Sequence, residues 1–62
     1  MHLTTVDMIK KKILDAQENV RDYQMFSKRV ESKELDAVFK DFSEQSAMQA
    51  SKLKELLDKY ER

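Results

Sequence analysis

The chain has 62 residues, with 12 Lys+Arg balanced by 12 Asp+Glu. That length allows one small domain whose core alone supplies little net stability, and the absence of Cys removes disulfides and thiolate zinc sites as staples, which leaves oligomerisation. A formal net charge of zero provides no field to draw the chain to nucleic acid or an anionic membrane, and without Gly or Pro the β-hairpin turns and phosphate-cradling loops are missing, so an all-α chain is expected.

The first predicted element is a helix over residues 5–30. Val6, Ile9, Ile13, Ala16, Val20, Tyr23 and Val30 recur in alternating steps of three and four, with Ser27 in the vacant position, which marks one seam of one helix. Thr4 followed by Asp7 has capping-box spacing with Asp in place of the usual Glu or Gln, and Asp7 to Lys11 adds a favourable i,i+4 pair. A second seam runs through Leu35, Phe39, Phe42, Ser46, Gln49, Leu53, Leu56 and Tyr60, and it cannot be phased onto the first without a break. Ser32 is the good N-cap residue in that break, so a turn is predicted at residues 31–33 and a second helix over 34–61, with one continuous kinked helix as the alternative. The two helices would be nearly equal, each about 26 to 28 residues and roughly 40 Å long at 1.5 Å per residue.

A lone hairpin would leave Leu14, Met25, Phe26, Val38 and Leu57 on its flanks. Two hairpins packed face to face would bury them, so the predicted fold is all-α, an antiparallel two-helix hairpin that dimerises into a four-helix bundle, in preference to a coiled-coil filament. The interface expected from the seams includes Val6, Ile13, Val20, Tyr23, Phe39, Phe42, Gln49, Leu53 and Leu56. The longest uninterrupted apolar run is Ala37-Val38-Phe39, well short of the roughly 18 residues of a membrane span, and no signal-peptide segment follows Met1, so a cytoplasmic protein is expected.

Counted outward from the turn, Ala16 falls at the same depth as Ser46 and Gln49, so a small polar layer is expected in the middle of an apolar core. A buried Gln without partners costs on the order of 1 to 3 kcal/mol, so Gln49 should pair with Ser46 or with its own symmetry mate and thereby fix register. The stretch from Phe39 through Phe42, Ser46, Gln49 and Ala50 to Leu53 resembles the second helix of rubrerythrin and related ferritin-like proteins, with its Phe, Glu-x-x-His-Ala and Leu. On that pattern the metal-binding Glu falls on Ser46 and the His on Gln49, and the Glu of the first helix falls on Ala16, seven residues before Tyr23. The resemblance implies half of a ferritin-like four-helix bundle whose di-iron ligands are replaced by an aliphatic, a hydroxyl and an amide, residues that do not hold a divalent or ferric ion. A metal-binding ferritin-like protein using other ligands is a further alternative. Glu18 and Glu44 are turned about 200° from the core positions, and Glu34, Asp36, Asp41, Glu55 and Asp58 read as surface charges, with Asp36–Lys40, Glu55–Lys59 and Asp58–Arg62 spaced as i,i+4 pairs.

Ser32-Lys33-Glu34-Leu35-Asp36 resembles the Ser-Gln-Glu-Leu-Asp signature of small two-helix aspartyl-phosphate phosphatases that act on sporulation response regulators, with Lys33 in place of the Gln. That resemblance would place Asp36 against a partner's phosphorylated site. A Ser N-cap followed by an acidic first turn accounts for the same residues. Lys10-Lys11-Lys12 has no interleaved aromatics and reads as a solvated helix face, and the sole histidine, His2, is terminal, so no nucleophile–base pair is found. The expectation is a non-catalytic homodimer with a structural or protein-interaction role, no cofactor, no metal, no nucleic acid and no membrane.

Overall fold

A computed structural model describes residues 3–61. It contains two helices, α1 over Thr5–Ser27 and α2 over Lys33–Glu61, packed side by side as an antiparallel hairpin. Helix α1 starts on the expected capping box: the Thr4 hydroxyl accepts the Asp7 N–H at 3.0 Å, and the Asp7 carboxylate accepts the Thr4 N–H at 3.2 Å. The Asp7 carboxylate is thereby turned to the cap, and Lys11 pairs instead with Asp15 at 2.9 Å. At the start of α2 the Ser32 hydroxyl accepts the Leu35 N–H at 3.1 Å, so Ser32 is the N-cap and the helix begins at Lys33, one residue before the expected start.

Helix α1 ends at Ser27, three residues short of the expected end at Val30. The buried Ser27 hydroxyl donates to the Gln24 carbonyl at 2.8 Å, a local bond that competes with continued helix. Beyond it, Lys28 N–H donates to the Met25 carbonyl and Arg29 N–H to the Phe26 carbonyl, the tightened i→i+3 bonds that satisfy the last carbonyls of a helix without glycine. No described residue has positive φ, so the turn needs none of the conformations that favour Gly. The helices are consequently unequal, 23 and 29 residues, rather than matched.

The seam of α1 is the expected one: Ile13, Ala16 and Ser27 are buried, and Val6, Ile9, Val20, Tyr23 and Val30 are half-buried. The seam of α2 differs. It runs through Asp36, Phe39, Ser43, Ser46, Ala50, Leu53, Leu56 and Leu57, sharing Phe39, Ser46, Leu53 and Leu56 with the predicted set. Helix α2 is rotated by about half a residue step, or roughly 50°, so that Ser43 and Ala50 meet α1 while Phe42 and Gln49 are exposed. The physical reason is close approach: small side chains on both helices let the Ser43 hydroxyl reach across and donate to the Val20 carbonyl at 3.2 Å. The rotation also brings Leu57, expected on a flank, into partial cover, and half-buries Asp36, expected on the solvated face.

The hairpin is a slab of 45 × 24 × 12 Å, one helix thick. Its buried apolar residues are Ile13, Ala16 and Ala50, and none of the described larger side chains is fully enclosed. Ala50→Leu should overpack the seam and lower stability by about 1–3 kcal/mol in urea unfolding, whereas Met48→Leu on the outer side of α2 should change it by no more than about 0.5 kcal/mol.

Candidate interaction surface

The rotation of α2 makes the two broad sides of the slab chemically different. One side is charged at its rim. It carries a salt bridge of 3.3 Å between Lys10 and Glu61 that joins the open ends of the helices, and an open, mostly apolar groove lined by Val20, Ala47 and Ala50 and bordered by Gln17, Arg21 and Lys54. The other side is apolar at both ends and polar at its centre.

At the turn end of the second side, four aromatic residues touch. Tyr23 lies 5.7 Å from Phe39 and 5.6 Å from Phe42, centroid to centroid, the latter edge-on at 68°, and Phe26 lies 6.5 Å from Phe39. These separations and tilts suit the aromatic quadrupole, and the pairs bridge α1 and α2. Phe42 keeps 39% of its surface and Phe26 43%, so the cluster is covered from below by the hairpin and open above. In the centre, Asn19, Gln45, Ser46 and Gln49 line a cleft of about 250 Å³ flanked by Tyr23 and Phe42. Towards the open end the surface continues over Gln49, Leu53 and the stems of Lys12 and Lys52, with Leu56 half-buried beyond.

The expected interface residues divide between two roles. Ile13 is buried between the helices, and Val6 and Val20 are half-buried along the same row, with Val20 lining the groove of the first side. Tyr23, Phe39, Phe42, Gln49, Leu53 and Leu56 lie along the aromatic side. The sequence pattern did not single out Asn19 and Gln45, which complete the polar centre. The only signal for them is their place seven residues before Phe26 and three after Phe42. Leu14, Met25 and Met48 are exposed on the outer surfaces of their helices.

Of the three positions aligned with metal ligands, Ala16 and Ser46 are buried in the seam, and Gln49 is exposed rather than buried as expected. With Ala50 taking the place against α1, the Gln49 amide keeps contact with water and needs no partner within the chain. Among the described residues no group of three or more His, Cys, Asp or Glu gathers where it could hold a metal ion. Glu18, Glu34, Asp41, Glu44 and Glu55 are all exposed, and Glu55 pairs with Lys52 at 3.4 Å rather than with Lys59. His2 and Arg62, the expected partner of the exposed Asp58, lie outside the described residues.

Asp36, the residue of the phosphatase resemblance, is turned towards the seam. Lys40 Nζ donates to its Oδ2 at 3.4 Å and lies 3.3 Å from Oδ1, which is buried and lacks a hydrogen-bond partner of good geometry. One oxygen of this carboxylate is thus buried against its own hairpin, while the side chain keeps 33% of its surface. The lysine run is engaged as well: Lys10 with Glu61, and Lys11 and Lys12 with Asp15, whose carboxyl is held below its ordinary value by the hydrogen bonds from Lys11 and then Lys12. Among the described residues no helix is long and apolar enough to cross a membrane. No protein-family model, curated protein or solved structure matches the chain. A double-mutant cycle of Tyr23→Leu and Phe42→Leu, read by urea unfolding, should return a coupling of about 0.5–1.5 kcal/mol for the edge-on pair.

Proposed function

We propose that this chain is a non-catalytic interaction module, a hairpin that pairs with a second copy through its aromatic side to complete a four-helix bundle with a structural or protein-interaction role. The observation that carries the reading is the one-layer slab with a broad side rich in uncovered aromatic and aliphatic residues. A stable domain packs two layers around a core, and a core of Ile13, Ala16 and Ala50 buries too little to hold 62 residues alone. In this reading a second copy of the chain supplies the second layer. The resemblance to rubrerythrin fits the same reading as a scaffold kept without its iron chemistry, since the buried Ala16 and Ser46 offer no carboxylate.

Light scattering on purified protein at micromolar concentration should give twice the 7.4 kDa chain mass. Gln49→Lys with Tyr60→Lys, both exposed on the aromatic side and outside the buried line between the helices, should abolish the dimer and with it most of the helical signal in circular dichroism. A fully helical monomer at that concentration would overturn the reading. Iron titration followed by ultraviolet-visible absorbance should show no stoichiometric binding, and a tight two-iron site would return the protein to the metal-binding class.

A further inference from the structure

We propose that the second copy docks with its turn at the opposite end, α2 running antiparallel along the partner's α2, and that Gln49 of each chain enters the other's central cleft to hydrogen-bond the partner's Ser46. This rests on the dimer reading above and specifies its geometry. The row on α2 along the aromatic side is Leu35, Phe39, Phe42, Ser46, Gln49, Leu53, Leu56 and Tyr60, of which Phe39, Ser46, Leu53 and Leu56 also border the seam and Ser46 opens only onto the central cleft. Read outward from the midpoint between Ser46 and Gln49, it is self-matching in type: Ser46 mirrors Gln49, Phe42 mirrors Leu53, Phe39 mirrors Leu56, and Leu35 mirrors Tyr60. A two-fold axis through that midpoint, perpendicular to the helix, sets each residue against its mirror on a second copy. The occupant this surface fits best is therefore another molecule of the same chain.

Two arguments favour opposite turns over turns at one end. The first is volume. Tyr23, Phe26, Phe39 and Phe42 make the turn end bulky, and Ile9, Leu53 and Leu56 make the open end slimmer. With turns together, both bulky ends would meet and the slabs would splay, whereas with turns opposed every layer combines a larger and a smaller side chain and the slabs stay parallel. The second is polar pairing. Docking takes Gln49 out of water, and its amide then needs a partner inside the interface. In the opposed arrangement the partner's Ser46 supplies it, twice by symmetry, and the cleft of about 250 Å³ over Ser46 gives the incoming side chain room. With turns together, Gln49 would lie across from the partner's α1, where Ala16 is buried in the seam and Lys12 and Asn19 form the surface, so the symmetric Gln49–Ser46 pair is lost. The broad side, 45 by 24 Å, exceeds the roughly 800 Å² that each partner contributes to a stable interface.

Spin labels on Glu31→Cys, an exposed turn residue, test the geometry by dipolar spectroscopy. Opposed turns should separate the labels by about the 45 Å length of the hairpin. A separation within about 20 Å, as adjacent helices 8–10 Å apart would give, overturns the antiparallel arrangement while leaving the dimer standing. A monomeric mass with no dipolar signal overturns the dimer itself. Removal of the pair is the second arm: Ser46→Ala should raise the dimer dissociation constant about tenfold, and in a Gln49→Leu background, where no amide is left to pair, the same change should alter it by no more than about threefold. Equal weakening by Ser46→Ala in both backgrounds would overturn the Ser46–Gln49 contact even if the labels lie far apart.

Discussion

The close approach of α1 to α2 governs the rest of the structure. Ile13, Ala16 and Ser27 on one helix and Ser43, Ser46 and Ala50 on the other form the buried line between them, and the Ser43 hydroxyl reaches the Val20 carbonyl at 3.2 Å. All but Ile13 are small, and side chains of this size allow the backbones near one another. Large residues of α2 are displaced sideways. They collect on one broad side, where Phe42 and Leu56 join Tyr23 and Phe26, while the opposite side receives Gln17, Lys54 and the Lys10–Glu61 bridge.

That displacement has an energetic consequence. A contact line mostly of Ala and Ser removes little apolar area from water, at about 25 cal/mol per Å², compared with what Phe or Leu would remove in the same place. The hairpin spends its smallest residues inside and keeps its largest ones half-covered, the reverse of the order in a self-sufficient domain. The caps at Thr4 and Ser32 define where the helices begin, and such caps contribute about 1 kcal/mol each, which sets boundaries without replacing a core.

The sequence announces some of this and conceals the rest. Both helix starts are readable because a side-chain oxygen before a helix has a specific bond to make, at Thr4 and at Ser32. The α1 row is readable because Val6, Ile9, Ile13, Val20 and Tyr23 are strong hydrophobic markers and do face α2. In α2 the strongest markers, Leu35, Phe42 and Leu56, trace the broad side, and the true contact line is marked by Ser43 and Ala50, which carry almost no hydrophobic signal. Periodicity weighs side chains by apolarity, whereas helix approach depends on smallness. The same rotation explains Gln49, which the pattern places in the core and the structure places at the surface. The end of α1 was hidden for another reason: it is produced by a Ser27 back-bond and tightened carbonyl contacts, and neither Gly nor Pro marks it. Of the aromatic side, Tyr23, Phe39, Phe42, Leu53 and Leu56 stand out in the sequence, while Asn19 and Gln45, being polar, do not.

The single turn at residues 28–32 also shapes how the chain reaches this state. Every contact between the helices spans that one turn, so the contacts are nested, from Tyr23–Phe39 near the turn out to Lys10–Glu61 at the open ends. Each outer contact closes a loop that the inner ones have already shortened, and the entropy of closure is met in small increments rather than at once. Chains with such local, sequentially ordered contacts reach their fold on the microsecond-to-millisecond scale. The aromatic cluster, sitting nearest the turn, is the first tertiary contact such a zipper can form.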